Sequence, residues 1–350
     1  MKALQFHGKE DVRVEDVAEP SPQPGEVKLR NAYSGICGSD LHIYFAPEAS
    51  GMDFSEPHPL TGATLPQILG HEFAGTVAEV GEGVTNVEVG DEVAVWGIYS
   101  CGECGACEKG LPNACEKISF HGVYSDGGGM AEYTTVTADR LHKLPDNVDL
   151  KMGALVEPMA VAWHAVNVSG AEAGATALVV GAGPIGFGAY FALKAKGIDK
   201  VIVSEPSPER RAALVAVGAD HVVDPINGDL AGAVREMTGG RGVDFAYDAS
   251  GNGPAFLQGI DLLGARGLMT VIALHEKAVE FNPTMLVMRE KRICATLGYL
   301  QEVYDEVIAA MAEGKYDFTG WVETTNLEGV ADAMQRLRAG RAMKILVEAV

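Results

Sequence analysis

The 350-residue chain is 47% hydrophobic and 21% charged, the balance of a globular protein with room for about two domains. Its 48 acidic residues outnumber 27 basic ones, for a formal charge of −21. Coulomb repulsion at that charge argues against nucleic acid and anionic membrane as partners.

The opening "MKALQFHGKEDVRVEDV" alternates like a strand and has no apolar leader core. The expected location is the cytoplasm, where thiols stay reduced. Residues 1–150 read as short strands and turns: "GEVKLRNAY", "EFAGTVAEV", "DEVAVWGIY" and "AEYTTVTA" each show period-2 texture. From Gly153 the texture changes. "GALVEPMAVAWHAVNVS" is a predicted helix, and "TALVVGAG" is a buried strand leading into the helix "PIGFGAYFALKAKG". "KVIVSEP" and "SPERRAALVAVG" repeat that pair, with Ser207 and Pro208 as cap and first turn. "HVVDP", "VDFAYDAS", "GLMTVIAL" and "RICATLG" continue the strands. Such alternation predicts an α/β fold with a doubly wound parallel sheet. A helix over "EVYDEVIAAMAEG" and a strand over "AMKILVEA" close the chain. The uncharged run Ala173–Leu193 is long enough to span a bilayer, but it holds five glycines and a proline.

That run contains "VVGAGPIG", a G-x-G-x-x-G at Gly181, Gly183 and Gly186. It follows an apolar strand and opens a helix, the context in which glycines admit a pyrophosphate to a helix N-terminus. Nineteen residues after Gly186, Glu205 ends the second strand. An acid there accepts hydrogen bonds from ribose hydroxyls and repels a 2′-phosphate, which favours NAD over NADP. Arg210 and Arg211 could meet a phosphate, but they lie inside the next helix.

Four of six cysteines, Cys101, Cys104, Cys107 and Cys115, fall in "CGECGACEKGLPNAC". Their spacing fits a four-thiolate zinc site better than an iron–sulfur run, whose last gap is shorter and precedes a proline. Four thiolates fill all four positions, so this metal is structural. The chemistry must lie elsewhere. Cys37 in "SGICGSDLH", His71 and Glu72 in "ILGHEFAG", and Glu157 in "LVEP" are the remaining metal-competent groups. Each has a plainer alternative. Cys37 can be a small buried hydrophobe, His71 a satisfied core histidine, and Glu157 an acid at a helix start. Spacing alone does not assemble them. Cys294 has no nearby partner and reads as core.

Together, "CGSDLH", "GHE", the four-cysteine lobe, "GGGMAEY", "VEP", "VVGAGPIG" and "MKILVE" run through the chain in an order that resembles the zinc-dependent medium-chain dehydrogenase/reductase superfamily. The resemblance implies a split GroES-like catalytic domain over 1–158, completed by 300–350, around a Rossmann domain at 159–299. It implies NAD as cofactor and two zinc ions per chain. Cys37, His71 and Glu72 match the catalytic-zinc ligands of the polyol-dehydrogenase branch. Glu157 matches a carboxylate that binds this zinc directly or through water, and the four clustered cysteines match the structural site. Ser39 and His42 match a proton relay. Gly181, Gly183, Pro184, Ile185, Gly186, Glu205, Arg210, Ala273 and Leu274 match cofactor contacts. Relatives pair the last Rossmann strand across a dimer, so a homodimer or homotetramer is expected.

The implied activity is oxidation of a small alcohol or vicinal diol. "PHPLTG" (57–62) and "FNPTMLVMREKRICATLGY" (281–299) look most like the (R,R)-2,3-butanediol dehydrogenase branch. Sorbitol dehydrogenases usually carry an arginine where this chain has Gly298, a departure that argues against long polyols. Sorbitol/xylitol-type or L-threonine 3-dehydrogenase activity is the alternative among enzymes. A zinc and dinucleotide-binding redox sensor is the alternative outside them.

Overall fold

The computed structural model describes residues 1–49 and 54–349. The chain divides into two units, one of Met1–Glu157, Leu300–Ala312 and Gly320–Val350, the other of Pro158–Tyr299 and Glu313–Thr319. The short piece 313–319 lies apart from the rest of the C-terminal segment for a packing reason. Tyr316 is buried, with its ring 5.3 Å from Phe191 and 6.5 Å from Trp163, both in the second unit.

The first unit opens with β1 (Lys2–Gly8), β2 (Asp11–Asp16), β3 (Glu26–Gly35), α1 (Gly38–Phe45), β4 (Gln67–Ile68) and β5 (Glu72–Val80). It continues with β6 (Glu92–Val95), β7 (Ile98–Tyr99), β8 (Ser119–Phe120), β9 (Tyr133–Thr137) and β10 (Leu141–Lys143). Helix α2 (Leu150–Ala154) follows, capped by the Asp149 side chain, which accepts from the Met152 N–H. Helix α3 (Val156–Ser169) carries the chain into the second unit. The predicted single helix here is thus two, broken at Leu155.

The second unit is one parallel sheet. Its strands are β11 (Thr176–Val180), β12 (Lys200–Ser204), β13 (Val222–Val223), β14 (Val243–Asp248), β15 (Leu263–Val271) and β16 (Arg292–Ala295). They lie in the order β13-β12-β11-β14-β15-β16, the doubly wound topology whose reversal point takes dinucleotides. Helices α4 (Pro184–Ala195), α5 (Pro208–Ala216), α6 (Leu230–Thr238) and α7 (Gly253–Leu262) alternate with the strands. All five residues of β11 are buried, as a strand with helices on both faces requires. The run Ala173–Leu193 therefore folds as β11, a glycine turn and α4. Among the described residues no helix is long and apolar enough to cross a membrane.

The chain then returns to the first unit with β17 (Val322–Asn326) and β18 (Lys344–Glu348). The main sheet there runs β10-β6-β5-β3-β18-β17, with β9 also on β3. Val27, Leu29, Phe73, Val77, Val93 and Val136 form one apolar cluster of this unit. Leu4, Phe6, Ile43, Tyr44, Ile345 and Val347 form another, which holds α1 and β18. Gly35, the last residue of β3, pairs with Glu72 at the start of β5 and with Leu346 of β18. Three strands thus converge where Cys37, His71 and Glu72 leave the backbone.

Candidate metal centres and cofactor site

Cys37 is the N-cap of α1, and the N3 residue Asp40 closes a capping box by accepting the Cys37 N–H at 2.8 Å. Asp40 is fully buried, and its Oδ1 lies 3.5 Å from His71 Nδ1. The same carboxylate therefore anchors the cysteine's backbone and faces the histidine ring, the role outer carboxylates play toward metal-binding histidines. Ligand atoms of Cys37, His71 and Glu72 lie within 4.8 Å of one another, and His71 and Glu72 are buried. Ser39 Oγ sits 3.3 Å from His71 Nε2. His42, half-buried, stands three residues further along α1 and so shares a face with Ser39. The Phe120 ring is 6.0 Å from the His71 ring and gives the site an apolar side.

Burial and neighbouring charges act together on the groups of this cluster. Burial pushes the Cys37 thiol up, and the charge of Glu72 adds to the shift. Burial opposes a charged His71, but Asp40 and Cys37 together raise it well above the usual histidine value. A sulfur, an imidazole and a carboxylate, buried together with fewer than four protein ligands, match a zinc site with an open position.

Glu157 lies in the first turn of α3 and is buried. It is not part of the three-donor cluster, although its charge reaches both Cys37 and Lys344. Lys344 and Asp40 are the two groups that sequence reasoning missed. Lys344, on β18, is buried and donates to the Ile36 carbonyl at 3.0 Å and to Glu72 Oε2. The charges of Glu72 and Cys37 outweigh the effect of burial and raise its pKa. Asp40 was visible only as an acid three residues after a Gly-flanked cysteine. Lys344 was visible only as a charge at the head of an apolar strand.

The four-cysteine lobe is a different object. Its sulfurs also lie within 4.8 Å of one another, but three of the four residues are partly exposed. Sγ–Sγ distances are 3.5 Å for Cys104–Cys107, 3.9 Å for Cys104–Cys115 and 3.5 Å for Cys101–Cys115. The edge of a zinc–thiolate tetrahedron with bonds of about 2.3 Å is about 3.8 Å. Backbone N–H groups of Cys101 and Lys117 each point at Cys115 Sγ from 3.3 Å. Backbone N–H groups draw Cys104 down to about 6, while burial pushes Cys115 up to about 11. A bound cation would hold all four as thiolates.

In the second unit, Gly181 takes a left-handed φ of 95°, and a Cβ there would lie 3.0 Å from Ser250. A Cβ on Gly186 would fall 2.0 Å from the Gly181 carbonyl, so the turn can close only on glycine. Gly183 caps α4, with the half-buried Pro184 and Ile185 in its first turn. Glu205 is buried just past β12, and both its oxygens are engaged: Oε2 accepts from the Ala182 N–H at 2.7 Å and Oε1 from the Ser207 N–H at 2.8 Å. It fixes the glycine turn as well as carrying charge beside it. The two arginines part company. Arg210 Nη1 is 4.0 Å from the position a Gly183 Cβ would take, whereas Arg211 donates to the Glu205 and Pro206 carbonyls. Asp248 ends β14 and is fully buried. Its side chain accepts from Ser250 and pairs with His275, and its carbonyl accepts from the Ala273 N–H. The neighbouring Leu274 is exposed.

Residues 23–146 match the family model described as alcohol dehydrogenase GroES-like domain, and residues 184–313 match that of zinc-binding dehydrogenase. The chain is 39% identical over 317 residues to (R,R)-butanediol dehydrogenase of Bacillus subtilis (strain 168), covering 90% of this chain and 89% of that relative. It is 36% identical over 350 residues to 2-dehydro-3-deoxy-L-galactonate 5-dehydrogenase of Pseudoalteromonas atlantica, covering 99% and 98%. The crystal structure of 2R,3R-butanediol dehydrogenase from Bacillus subtilis superposes with a TM-score of 0.91 at 38% identity, covering 99% of each chain.

Proposed function

We propose a specific reaction from an established premise: this chain belongs to the zinc-dependent medium-chain dehydrogenase/reductase superfamily. The reaction is NAD-linked interconversion of (R,R)-2,3-butanediol and acetoin. The observation that carries it is the buried cluster of Cys37, His71 and Glu72 with a hydroxyl, Ser39 Oγ, at its edge.

A zinc ion on Cys37, His71 and Glu72 would supply Lewis acidity to a substrate hydroxyl, and a dinucleotide on the glycine turn a hydride acceptor. The chain's own groups do the rest. Ser39 accepts the hydrogen bond of the substrate hydroxyl, and His42, one turn along α1, hands the proton toward solvent. Asp40 holds His71 in orientation. Phe120 screens the reacting carbon from water. Glu157 accepts the second hydroxyl of a vicinal diol. Glu205 favours NAD over NADP by keeping a negative charge where a 2′-phosphate would sit.

The substrate follows from what the site would have to pair. By the family resemblance, Gly298 stands where sorbitol dehydrogenases usually carry an arginine, and it offers no side-chain donor. A long polyol brings several hydroxyls that need partners when water leaves, and sites built to pair them discriminate strongly. A four-carbon diol needs the metal, one acceptor and an apolar wall. The four cysteines of the lobe would hold a second zinc, which would stabilise the lobe and leave no position open for substrate. Cysteines that serve as zinc ligands must stay reduced, which suits the cytoplasm. The edge strand β16, with exposed Val287, Met288 and Leu297 around it, suits a homodimer built edge to edge.

The test is kcat/KM measured side by side for (R,R)-, meso- and (S,S)-butanediol, sorbitol, xylitol, L-threonine and a sugar acid. The (R,R)-diol should lead by tenfold or more. A comparable lead by sorbitol, xylitol, threonine or the sugar acid removes the butanediol assignment.

A further inference from the structure

Glu72 has two claimants. One is the catalytic zinc of the reading above, on which this inference rests; the other is Lys344. Glu72 stands on β5 and Lys344 on β18, with β3 between them in the sheet. Two strand spacings of about 4.8 Å separate their backbones, so the side chains must reach toward each other over the middle strand. The residue they cross is Gly35. A Cβ there would lie 1.9 Å from Glu72 Oε2 and 3.0 Å from Lys344 Nζ. The middle strand has no side chain at the one position where the pair needs room.

The pair is unlike the other buried lysine among the described residues. Lys28 binds Glu19 and Glu79, whose side chains are 47% and 54% exposed, so that network is bathed in water. Lys344 and Glu72 are 2% and 1% exposed. Neither has solvent to fall back on, and a buried charge that loses its partner is strongly destabilising. The remaining donors of Lys344 do not replace the carboxylate, since its other partner is the neutral Ile36 carbonyl.

We propose that Lys344 is the standing counter-ion of Glu72, which keeps the catalytic site folded without metal and loosens its hold on zinc. The physical reason is competition. An ammonium on Oε2 draws electron density from the carboxylate and repels a divalent cation at its other oxygen. The same ammonium neutralises Glu72 whenever zinc is away. Lys344 thus trades metal affinity for a site that survives metal exchange. This differs in sign from the usual outer partner of a metal ligand, whose loss weakens binding by about 10- to 100-fold.

The experiment uses the full chain as wild type, Lys344→Met, Lys344→Arg and the double variant Lys344→Met/Glu72→Gln. Zinc affinity is measured by competition with a chromophoric chelator, and thermal unfolding is followed in zinc-loaded and chelator-stripped protein. The cysteine lobe contributes equally to all four, so the differences report the buried site. Lys344→Met should bind its buried-site zinc about tenfold more tightly or better. Its stripped form should melt lower than stripped wild type, by on the order of 10 °C, while its loaded form falls much less. Lys344→Arg should behave like wild type. The double variant removes both charges and should restore the stripped protein's melting temperature. Weaker zinc binding in Lys344→Met, or an equal drop in loaded and stripped forms, overturns the proposal. If Lys344→Met does not fold, the double variant decides: a folded double variant supports the counter-ion role, and an unfolded one contradicts it. Should Cys37→Ala leave the zinc content of the wild type unchanged, the zinc reading itself fails, an outcome separate from those above.

Discussion

Two cysteine-bearing clusters sit in the same unit and are built on opposite plans. The lobe at 101–115 brings four sulfurs to tetrahedral spacing in a largely exposed loop, with backbone N–H groups as its nearest support. The cluster at Cys37 brings three unlike donors to the end of a sheet and sets a carboxylate, a hydroxyl and an ammonium against them: Asp40, Ser39 and Lys344. Four identical ligands leave nothing open and need no outer groups. Three mixed ligands leave a position open, and each neighbour then has a task toward what fills it. In the proposed reading, the difference between a structural zinc and a catalytic one lies in the surroundings more than in the ligands.

The comparison breaks most visibly at His71. Replacing His71 or Cys37 with alanine should remove one zinc per chain and lower kcat by several powers of ten, read from NADH formation and metal analysis. Wild-type turnover in either variant would move the chemistry elsewhere. Asp40→Asn tests the outer layer. It keeps the size but loses the charge facing His71, and should weaken zinc at this site by about 10- to 100-fold with the lobe metal retained. An unchanged zinc affinity would reduce Asp40 to a helix cap. Cys104→Ser sharpens the contrast from the other side. Thermal stability should fall while the folded fraction keeps turnover within a few-fold of wild type. A well-folded Cys104→Ser protein without activity would show that the lobe does chemistry after all.

How much of this was readable beforehand divides along the same line. The grouping of the lobe's four cysteines was readable in the sequence, because they are close in the chain and chemically alike. The parallel sheet was readable because β11 is an apolar run between Gly174 and Gly181, and β12 one between Gly197 and Pro206. By spacing alone the buried cluster was readable only as scattered candidates, which the family resemblance and not the spacing grouped, since β3, β5 and β18 bring residues 37, 71, 72 and 344 together from distant parts of the chain. Lys344 escaped because its partner is two strands away, across a glycine whose role appears only once the sheet is assembled. Strand β17 escaped because "VETTN" is an edge strand with little apolar content. The piece 313–319 belongs with the second unit, where Tyr316 packs on Phe191, a contact that no periodicity announces.

The most direct test of the division of labour is a protein in which cobalt replaces zinc at the Cys37 site alone, the lobe keeping zinc. Its visible absorption bands are recorded before and after addition of NADH and a non-reacting alcohol. The account predicts that the bands shift when alcohol binds, and that protein with cobalt only in the lobe shows no response. Bands at the Cys37 site that ignore the alcohol, or turnover that persists with metal in the lobe alone, would contradict it.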